Sequence, residues 1–339
     1  MTGLTEEPTA RRFVGEAEPV LPAKARKRPK RPPGAPREKE YVSLKAKVAT
    51  YLVLAPIAIL FIAPFAWLIS ASMQPLSTIF ANPPTWIPDD PTLSGYKGFL
   101  NLGHLSKAQQ AQGHGDWRWF VNSAFVAITI TVLQTFFNAL CAYAFAKRRF
   151  PGRNVIFVLF LGTMMVPGQI TLIPNYIIIQ HVPFFGGNDW MGTGGHGWLD
   201  SYWGLIMPGV VSAFGIFLLR QYMMSIPDDL LDAARIDGAS EFRIFWSVIL
   251  PLCTPALAAN AIFTFQAAWE DFLWPLIVTS GDPDKMTAPV GLALFVVQNR
   301  TDWNLLFAGS VIATLPMIIV FIIFQRQFVR GIAVTGVKG

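Results

Sequence analysis

The sequence has 339 residues, of which 53% are hydrophobic and only 14% are charged, and its formal net charge is +6 at pH 7. This balance excludes an ordinary soluble domain, in which about a quarter of the residues are charged. It is typical of a membrane protein with several spans, and the positive charge is then expected to report the orientation of its loops.

The N-terminal segment differs in composition from the rest of the chain. It is rich in Pro, Lys and Arg and includes the block PAKARKRPKRPPGAPREK. Because so few of its side chains are apolar, it cannot build a core, and we predict a disordered basic tail over residues 1–47. No nucleic-acid-binding module accompanies the tail in the sequence, so an orienting, lipid-attracted role is favoured over nucleic-acid binding.

Apolar segments follow the tail, each long enough to cross a bilayer core about 30 Å thick as a helix of roughly 20 residues. They predict an all-α polytopic membrane domain over residues 48–339. Its six transmembrane helices are expected at about 48–72, 121–146, 154–174, 202–224, 252–279 and 305–325. Pro167 and Gly168 interrupt the third of these segments.

Lys and Arg are concentrated in alternate loops, and the positive-inside rule places such loops in the cytoplasm. The tail, the loop KRRFPGR at 147–153, the connection at 225–251 and the C-terminal segment all fall on this side. We therefore predict a multi-pass protein of a bacterial-type cell membrane with both termini in the cytoplasm.

The connection between the fourth and fifth predicted spans, here called the hairpin (residues 225–251), has the pattern of two short helices. Ser225 stands at the first position of a capping box, which predicts that the first helix begins there, and Gly238 is expected to end it. Ser240 precedes a second helical run, which Pro251 is expected to stop. Such a helix either docks in a partner's groove or rests on lipid headgroups, and its acidic residues favour the partner.

The hairpin sequence DAARIDGASEFRIFWSVILP resembles the EAA loop of ABC importer membrane subunits. Four further stretches are similar to the second membrane subunit of the carbohydrate, maltose-type importers: WFVNSAFVA, CAYAFAKRRFPGR, AAWEDFLWPLIVTS and GIAVTGVKG. The resemblance covers about 48–339. It implies a permease subunit that moves a sugar, either a di- or oligosaccharide or a related glycerol phosphate, by alternating access.

In that family the EAA loop is the coupling helix, which docks on a separate ATPase. The resemblance therefore assigns ATPase coupling to Asp232, Ala233, Ala234, Gly238, Val248, Leu250 and Pro251. Two of these positions depart from the family pattern, because Asp232 replaces a Glu and Val248 replaces an Ile. Both replacements keep the charge or the apolar character.

The resemblance also implies the partners. They are an ATPase subunit dimer, a second membrane permease subunit, an extracytoplasmic sugar-binding protein and the lipid bilayer, with no nucleic acid. ATP and Mg would be bound by the ATPase, since this chain contains no G-x-x-x-x-G-K-[ST] motif, and we expect neither a cofactor nor an enzymatic activity in it. The loops LSKAQQAQGHGD and PFFGGNDWMGTGGHGW are expected to contact the sugar-binding protein.

Glu270 and Asp271 are carboxylates within a predicted span, where charged groups are costly and usually face a cavity or a partner. Trp269 and Trp274 flank them, and aromatic faces beside hydrogen-bonding groups suit a sugar. These four residues are the candidate substrate path. The alternative is that Pro275 marks a kink and the acids hold helices together.

Two other classes of function fit the sequence less well. A proton-coupled secondary transporter would use Glu270 and Asp271 as its relay, but it needs no coupling hairpin, and the two halves of the chain show no visible repeat. A membrane-embedded enzyme would need a nucleophile, base and metal, which the spans do not offer. The spacing of the histidines predicts no metal site at His104, His114, His181 or His196.

Overall fold

The computed structural model describes residues 44–83, 85–100, 117–297, 300–301 and 303–335. The chain divides into two units, Met1–Ala58 and Ile59–Gly339, with the boundary inside the first helix. The predicted tail lies almost entirely outside the described residues. The regular secondary structure of the described residues is helical apart from one short antiparallel strand pair, in which Val296 is opposite Thr301 and Val297 is opposite Arg300.

The regular elements are numbered in chain order. The helices are α1 (Leu44–Ser72), α2 (Ser94–Phe99), α3 (Trp117–Lys147), α4 (Arg153–Thr163), α5 (Gly168–Gln180), α6 (Tyr202–Ile206), α7 (Ala213–Met224), α8 (Asp229–Ile236), α9 (Glu241–Ile244), α10 (Leu250–Leu252), α11 (Thr254–Glu270), α12 (Leu273–Val278), α13 (Ala288–Ala293) and α14 (Trp303–Thr335). A 3₁₀ turn (Met207–Gly209) follows α6, a π turn (Phe245–Ile249) follows α9, and a second 3₁₀ turn (Pro283–Lys285) precedes α13. The strands are β1 (Val296–Val297) and β2 (Arg300–Thr301).

Three described helices are long and apolar enough to cross a membrane alone: α1, α3 and the Trp303–Gln325 part of α14. Three bent pairs raise the number to as many as six, if each pair is one span. The bends are 102° between α4 and α5, 41° at the break between α6 and α7, and 81° between the α9–α10 segment and α11. The described residues therefore offer between three and six of the spans that the sequence predicts.

The third and fifth predicted spans are not single straight helices. The first of these, 154–174, consists of α4 and α5, which extends to Gln180. Pro167 ends the intervening turn because proline lacks an N–H and restricts the residue before it. The second, 252–279, is interrupted where α11 ends, since Asp271 has extended backbone angles (φ −65°, ψ 124°).

The middle of the core joins α3, α7 and α11 at close range. Gly215 of α7 lies between Asn138 of α3 and Asn260 of α11, and a Cβ at this position would overlap both amide side chains. The two asparagines are 0% and 1% exposed, and Asn138 Nδ2 is 3.5 Å from Asn260 Oδ1. Small residues and amide contacts of this kind let helices approach closely within a membrane.

Helix α3 carries contacts to loops at both of its ends. At its C-terminal end, Lys147 and Arg148 form ion pairs with the hairpin. At its N-terminal end, Asn122 Nδ2 donates to the carbonyls of Asp284 and Met286 at 2.8 and 2.9 Å. The loops predicted to be cytoplasmic thus meet at one end of α3, and a loop predicted to be external meets the other.

Candidate functional site

Helix α8 of the hairpin ends in a Schellman motif. Gly238 has φ +77°, its amide donates to the Arg235 carbonyl at 3.0 Å, and the Ala239 amide donates to the Ala234 carbonyl at 3.0 Å. Glycine adopts this left-handed conformation without the steric cost of a Cβ. The prediction that Gly238 ends the first helix of the hairpin is confirmed.

The prediction that Ser225 begins that helix is wrong. Helix α8 begins at Asp229, and Ser225 Oγ donates to the Tyr222 carbonyl at 2.7 Å, at the end of α7. The predicted capping box fails because its other member, Asp228, binds Lys147 of α3 and has no capping hydrogen bond.

The second helix of the hairpin begins as predicted but does not end at the predicted proline. Ser240 Oγ accepts a hydrogen bond from the Arg243 amide at 3.4 Å and caps α9. Helical structure continues through the π turn and Pro251, and the chain bends only at Cys253. A wider turn before a proline relieves the clash between its ring and the preceding helix.

Glu241 ties the hairpin to the end of α3. Tyr143 Oη donates to Glu241 Oε2 at 2.7 Å, Arg235 Nε donates to Glu241 Oε1 at 3.1 Å, and Arg148 forms an ion pair with the same oxygen. We call these four residues the Glu241 clamp. The hydrogen bond from Tyr143, followed by those from Arg235 and Arg148, holds the pKa of Glu241 below its ordinary value of 4.5.

A second tie between α3 and the hairpin is made by Lys147. Its ammonium group donates to the Ile226 carbonyl at 2.5 Å and to Asp228 Oδ1 at 2.6 Å. The Lys147 side chain is only 4% exposed, so its charge requires these partners. The same hydrogen bond lowers the pKa of Asp228 from its ordinary value of 3.8.

The hairpin also exposes apolar side chains. Ile236 is 86% exposed, and Phe242 and Trp246 are exposed with their rings stacked at a centroid distance of 6.2 Å. Large apolar side chains exposed on a polar connection are typical of a surface that a partner covers. We call Ile236, Phe242 and Trp246 the apolar surface of the hairpin.

The seven predicted coupling residues differ in their surroundings. Those that are exposed are Asp232, Ala233, Gly238 and Pro251. Those that are half-buried and pack against the core formed by α3, α7 and the hairpin are Ala234, Val248 and Leu250. The first group can contact a partner directly, whereas the second can act by holding the hairpin in place.

A cavity of about 490 Å³ lies where three helix interruptions meet. Gly168 and Gln169 line it at the start of α5, Gly209 and Ser212 line it at the break between α6 and α7, and Asp271 lines it at the end of α11. Interrupted helices leave backbone polar groups free, and in transporters such helix ends form substrate sites.

Polar side chains of α3 and α11 hold the wall of this cavity in place. Gln134 Nε2 donates to the Gly209 carbonyl at 2.6 Å, and Thr264 Oγ1 donates to Gln134 Oε1 at 2.6 Å. Asn138 Oδ1 accepts a hydrogen bond from the Ser212 amide at 3.0 Å. Helix α3 therefore fixes both sides of the break between α6 and α7.

The four candidate path residues face two different cavities. Asp271 and Trp274 line the 490 Å³ cavity. Trp269 and Glu270 line a second, mostly apolar cavity of about 700 Å³ between α11, α13 and α14, which also includes Phe65 of α1. The structure thus brings together two pairs rather than one group of four.

The indole N–H groups of both tryptophans are already satisfied. Trp269 Nε1 donates to the Ala313 carbonyl of α14 at 3.0 Å, and Trp274 Nε1 donates to the Gly204 carbonyl of α6 at 3.0 Å. These bonds join helices. The Trp269 ring is buried and stacks on Phe265 at a centroid distance of 5.8 Å, so the Trp274 ring is the one of the two that can stack on a ligand in the 490 Å³ cavity.

The histidines and the two predicted contact loops are only partly described. His104, His114 and the first loop, at 105–116, lie outside the described residues. His181 follows α5 and His196 lies in the second loop, and each has Nδ1 near a backbone carbonyl, at 2.8 and 3.2 Å. Within the described residues, no three His, Cys, Asp or Glu side chains gather in a way that could hold a metal ion.

Sequence reasoning missed several polar residues of the cavity and its wall. They are Gln134, Asn138, Asn175, Asn260 and Thr264. The sequence pattern could have indicated them, because each is an uncharged hydrogen-bonding residue inside or at the end of an apolar segment. Such side chains are costly in lipid and therefore mark faces that turn inward.

A largely helical chain with interrupted apolar helices around a polar cavity, and a polar hairpin tied to one end of its core, defines a membrane transport subunit. A family model for the binding-protein-dependent transport system inner membrane component matches residues 138–334. The chain belongs to this family. The matched residues include the hairpin and all three helix interruptions around the cavity.

Several known proteins are similar to this chain. The arabinooligosaccharides transport system permease protein AraQ of Halalkalibacterium halodurans is 35% identical over 283 residues, which cover 84% of this chain and 93% of that protein. The sn-glycerol-3-phosphate transport system permease protein UgpE of Yersinia pestis is 34% identical over 288 residues, covering 84% and 92%. The resemblance to permeases of sugar ABC importers is confirmed.

A solved structure shares the fold. It is the crystal structure of a bacterial ABC transporter involved in the import of the acidic polysaccharide alginate. A chain of that transporter matches this one with a TM-score of 0.66 and 24% identity, over 85% of this chain and 99% of that chain.

Proposed function

We propose that the chain is a permease subunit of an ATP-driven importer of a saccharide, energised by a separate ATPase that docks on the hairpin. The observation that carries this proposal is the hairpin itself, which exposes Ile236, Phe242 and Trp246 and is tied to α3 through Glu241 and Lys147. Family membership supports it, because the names of the relatives describe them as transport system permeases.

Helix α3 is the route by which movement of the hairpin would reach the substrate. Its C-terminal end holds Glu241 and Asp228 of the hairpin, and Gln134 near its middle lines the cavity. A rigid helix with contacts at both places carries a displacement from one to the other. Closure of the ATPase on ATP would thereby open and close the cavity by alternating access.

The proposed arrangement has six spans with the hairpin and both termini in the cytoplasm. Residues 1–47 would form the basic tail, and residues 48–339 the transmembrane domain. In support, the Lys- and Arg-rich loop at 147–153 and the hairpin meet at one end of α3. The positive-inside rule then orients that end toward the cytoplasm.

The proposed partners are an ATPase dimer, a second permease subunit and an extracytoplasmic sugar-binding protein. ATP and Mg would be held by the ATPase. The surface available to lipid or a partner is extensive. The most apolar part of α1 is not buried by this chain, and little of the most apolar part of α14 is. A companion subunit and lipid together would cover it.

Asp271 and Trp274 are the proposed substrate contacts in this chain, because both line the polar cavity at a helix interruption. Trp269 and Glu270 lie on the second cavity, so we propose that they contact the companion subunit or a further part of the path. A proton relay between Glu270 and Asp271 is not favoured, because the two carboxyl groups face different cavities and the family is binding-protein-dependent.

Charge placed on the apolar surface of the hairpin tests the docking proposal. Ile236→Asp should abolish ATPase binding and saccharide uptake in the assembled transporter, since a buried unpaired carboxylate is costly at an interface. Ile87→Asp is the matched control, because Ile87 is 82% exposed and lies outside the hairpin. Unchanged ATPase binding in Ile236→Asp would refute the docking site.

A further inference from the structure

The 490 Å³ cavity contains hydrogen-bonding side chains that the protein itself does not use. Asn175 of α5 and Gln169 at its start line the cavity, and their amide groups have no hydrogen-bond partner among the described residues. Asp271 accepts from the neighbouring backbone amides of Phe272 and Trp274, the latter at 3.5 Å, and has no side-chain donor among the described residues. These groups are free to bind hydroxyl groups of a ligand.

The walls beside these groups are aromatic and apolar. Phe214, Phe263 and Trp274 line the cavity together with small residues of α11. A few convergent polar groups on an apolar and aromatic wall are the ordinary composition of a small-molecule site, and such sites measure roughly 300–1,000 Å³. Both the volume and the lining therefore suit a sugar, whose rings stack and whose hydroxyls bond.

The cavity offers no counter-charge for an anion. Among the described residues that line it there is no Lys, Arg or His, and Asp271 is the only ionisable group. Asp271 supplies no positive charge in either of its protonation states. A phosphate or carboxylate taken from water into this cavity would remain unpaired, which costs several kcal/mol.

The N-terminus of α5 does not change this balance. Gly168 begins α5 on the cavity wall, and a helix N-terminus carries the equivalent of about half a positive charge. A phosphate monoester carries about two negative charges at neutral pH. The helix end can orient a hydroxyl or ether oxygen, but it cannot neutralise a phosphate.

We propose that this cavity is a subsite for an uncharged saccharide, and that this chain disfavours phosphorylated or carboxylated substrates. The inference rests on the proposed function and adds the substrate class. Asn175 and Gln169 would bind hydroxyl groups from α5, and Asp271 would do so from the end of α11, near Trp274. The names of the relatives describe a neutral oligosaccharide and a phosphate ester as substrates, and the subsite would favour the first of these classes.

Protection of a thiol tests the subsite directly. In a background with Cys141→Ala and Cys253→Ala, the variant Asn175→Cys is assembled with its partner subunits in nanodiscs and labelled with a membrane-impermeant thiol reagent. A neutral arabino- or malto-oligosaccharide that the complex transports should slow labelling at least threefold. sn-Glycerol 3-phosphate at the same concentration should not. Thr171→Cys, also on the cavity wall, provides a second site if Asn175→Cys does not assemble.

Ser247→Cys is the matched control, because Ser247 is exposed on the hairpin and lies outside the cavity. Its labelling should be unaffected by either ligand. If a saccharide is taken up with ATP yet leaves labelling at both cavity positions unchanged, the subsite is refuted while the proposed function stands. Protection and uptake with glycerol phosphate would overturn the neutral class. Failure of ATP to drive uptake of any saccharide would refute the proposed function itself.

Discussion

Glu241 is the residue through which the hairpin and α3 are joined. Its carboxylate binds Tyr143, Arg148 and Arg235, and its side chain is 39% exposed. Exposed ion pairs contribute only about 0.2–1 kcal/mol each. We therefore interpret the clamp as positioning the hairpin rather than as holding the fold together.

Removing the charge of Glu241 should uncouple movement of the hairpin from movement of α3. Glu241→Gln should assemble normally but hydrolyse at least threefold more ATP per saccharide imported, because the hairpin can then move without α3. Asp237→Asn is the matched control, since Asp237 is an exposed acid of the same hairpin with no side-chain partner among the described residues. A normal ratio of ATP to saccharide in Glu241→Gln would contradict the role of the clamp.

The clamp should also depend on pH in a defined direction. Hydrogen bonds lower the pKa values of Glu241 and Asp228, so their ionised forms stabilise the hairpin above the ordinary values of 4.5 and 3.8. This stabilisation is lost as the pH falls through the lowered values. A spin label on Ser247→Cys, in the background lacking both native cysteines, should keep constant mobility at every pH above the ordinary value of 4.5 and gain mobility only as the pH falls below the ordinary values of both groups.

The same label in the Glu241→Gln background should already be mobile at neutral pH. A transition between about pH 6 and 7 in the parent would point instead to a group of higher pKa and would contradict this assignment.

Single residues were predictable where the interaction is local in sequence. The cap at Ser240 and the end at Gly238 depend on neighbours within five residues, and both predictions are confirmed. Ser225 was mispredicted because Lys147, which is distant in sequence, competes for the carboxylate of Asp228. Tyr143 and Glu241 are 98 residues apart, so no local pattern indicates their bond.

Among the elements, the hairpin depends on the turn at Gly238. Gly238→Trp should assemble in the membrane but uncouple ATP hydrolysis from transport. The structure places nothing within 4 Å of a Cβ at this position, so the expected cost is the left-handed backbone, about 1–2 kcal/mol, together with bulk on the docking side.

Gly238→Asn is the matched control for that substitution, because asparagine tolerates the left-handed region. It should retain most of the coupling, measured as saccharide imported per ATP hydrolysed. Wild-type coupling in Gly238→Trp would contradict the assignment of this turn to the coupling surface.

The straight spans were predictable and the bent ones were not. Helices α1, α3 and α14 contain uninterrupted apolar sequence, and their predicted positions agree with the structure to within a few residues apart from the longer C-terminal end of α14. Hydropathy identifies apolar segments but carries no information on the angle between two successive helices, so the 102° bend after α4 was not predicted. Pro167 indicated an interruption, but the angle depends on the packing of α5 against distant residues.

For the whole molecule, the side of the membrane is a prediction from the charge of the loops. In whole cells, Ser240→Cys should resist a membrane-impermeant thiol reagent, whereas Ser280→Cys should react, because the two exposed serines lie in loops predicted on opposite sides. Labelling of Ser240→Cys after permeabilisation is the control for its reactivity. Labelling from outside in intact cells would reverse the orientation.

The 490 Å³ cavity could be predicted only in part from the sequence. Asp271 and Trp274 were identified because a carboxylate and an aromatic ring in a span are conspicuous. The contributions of Asn175 and Gln134 were not, because three separate interruptions must first converge before these amides share one cavity. Such convergence depends on tertiary packing, which the pattern of a single segment does not contain.

Coupling of ATP hydrolysis to uptake through the hairpin is tested most directly by identifying the energy source of uptake. The chain should be reconstituted in liposomes with its ATPase, its companion permease and its sugar-binding protein, and labelled saccharide should be measured with a protonophore present. We predict that ATP drives uptake after the proton gradient has collapsed, and that Ile236→Asp abolishes this uptake while Ile87→Asp does not. Uptake that disappears with the proton gradient, or that persists in Ile236→Asp, would contradict coupling through the hairpin.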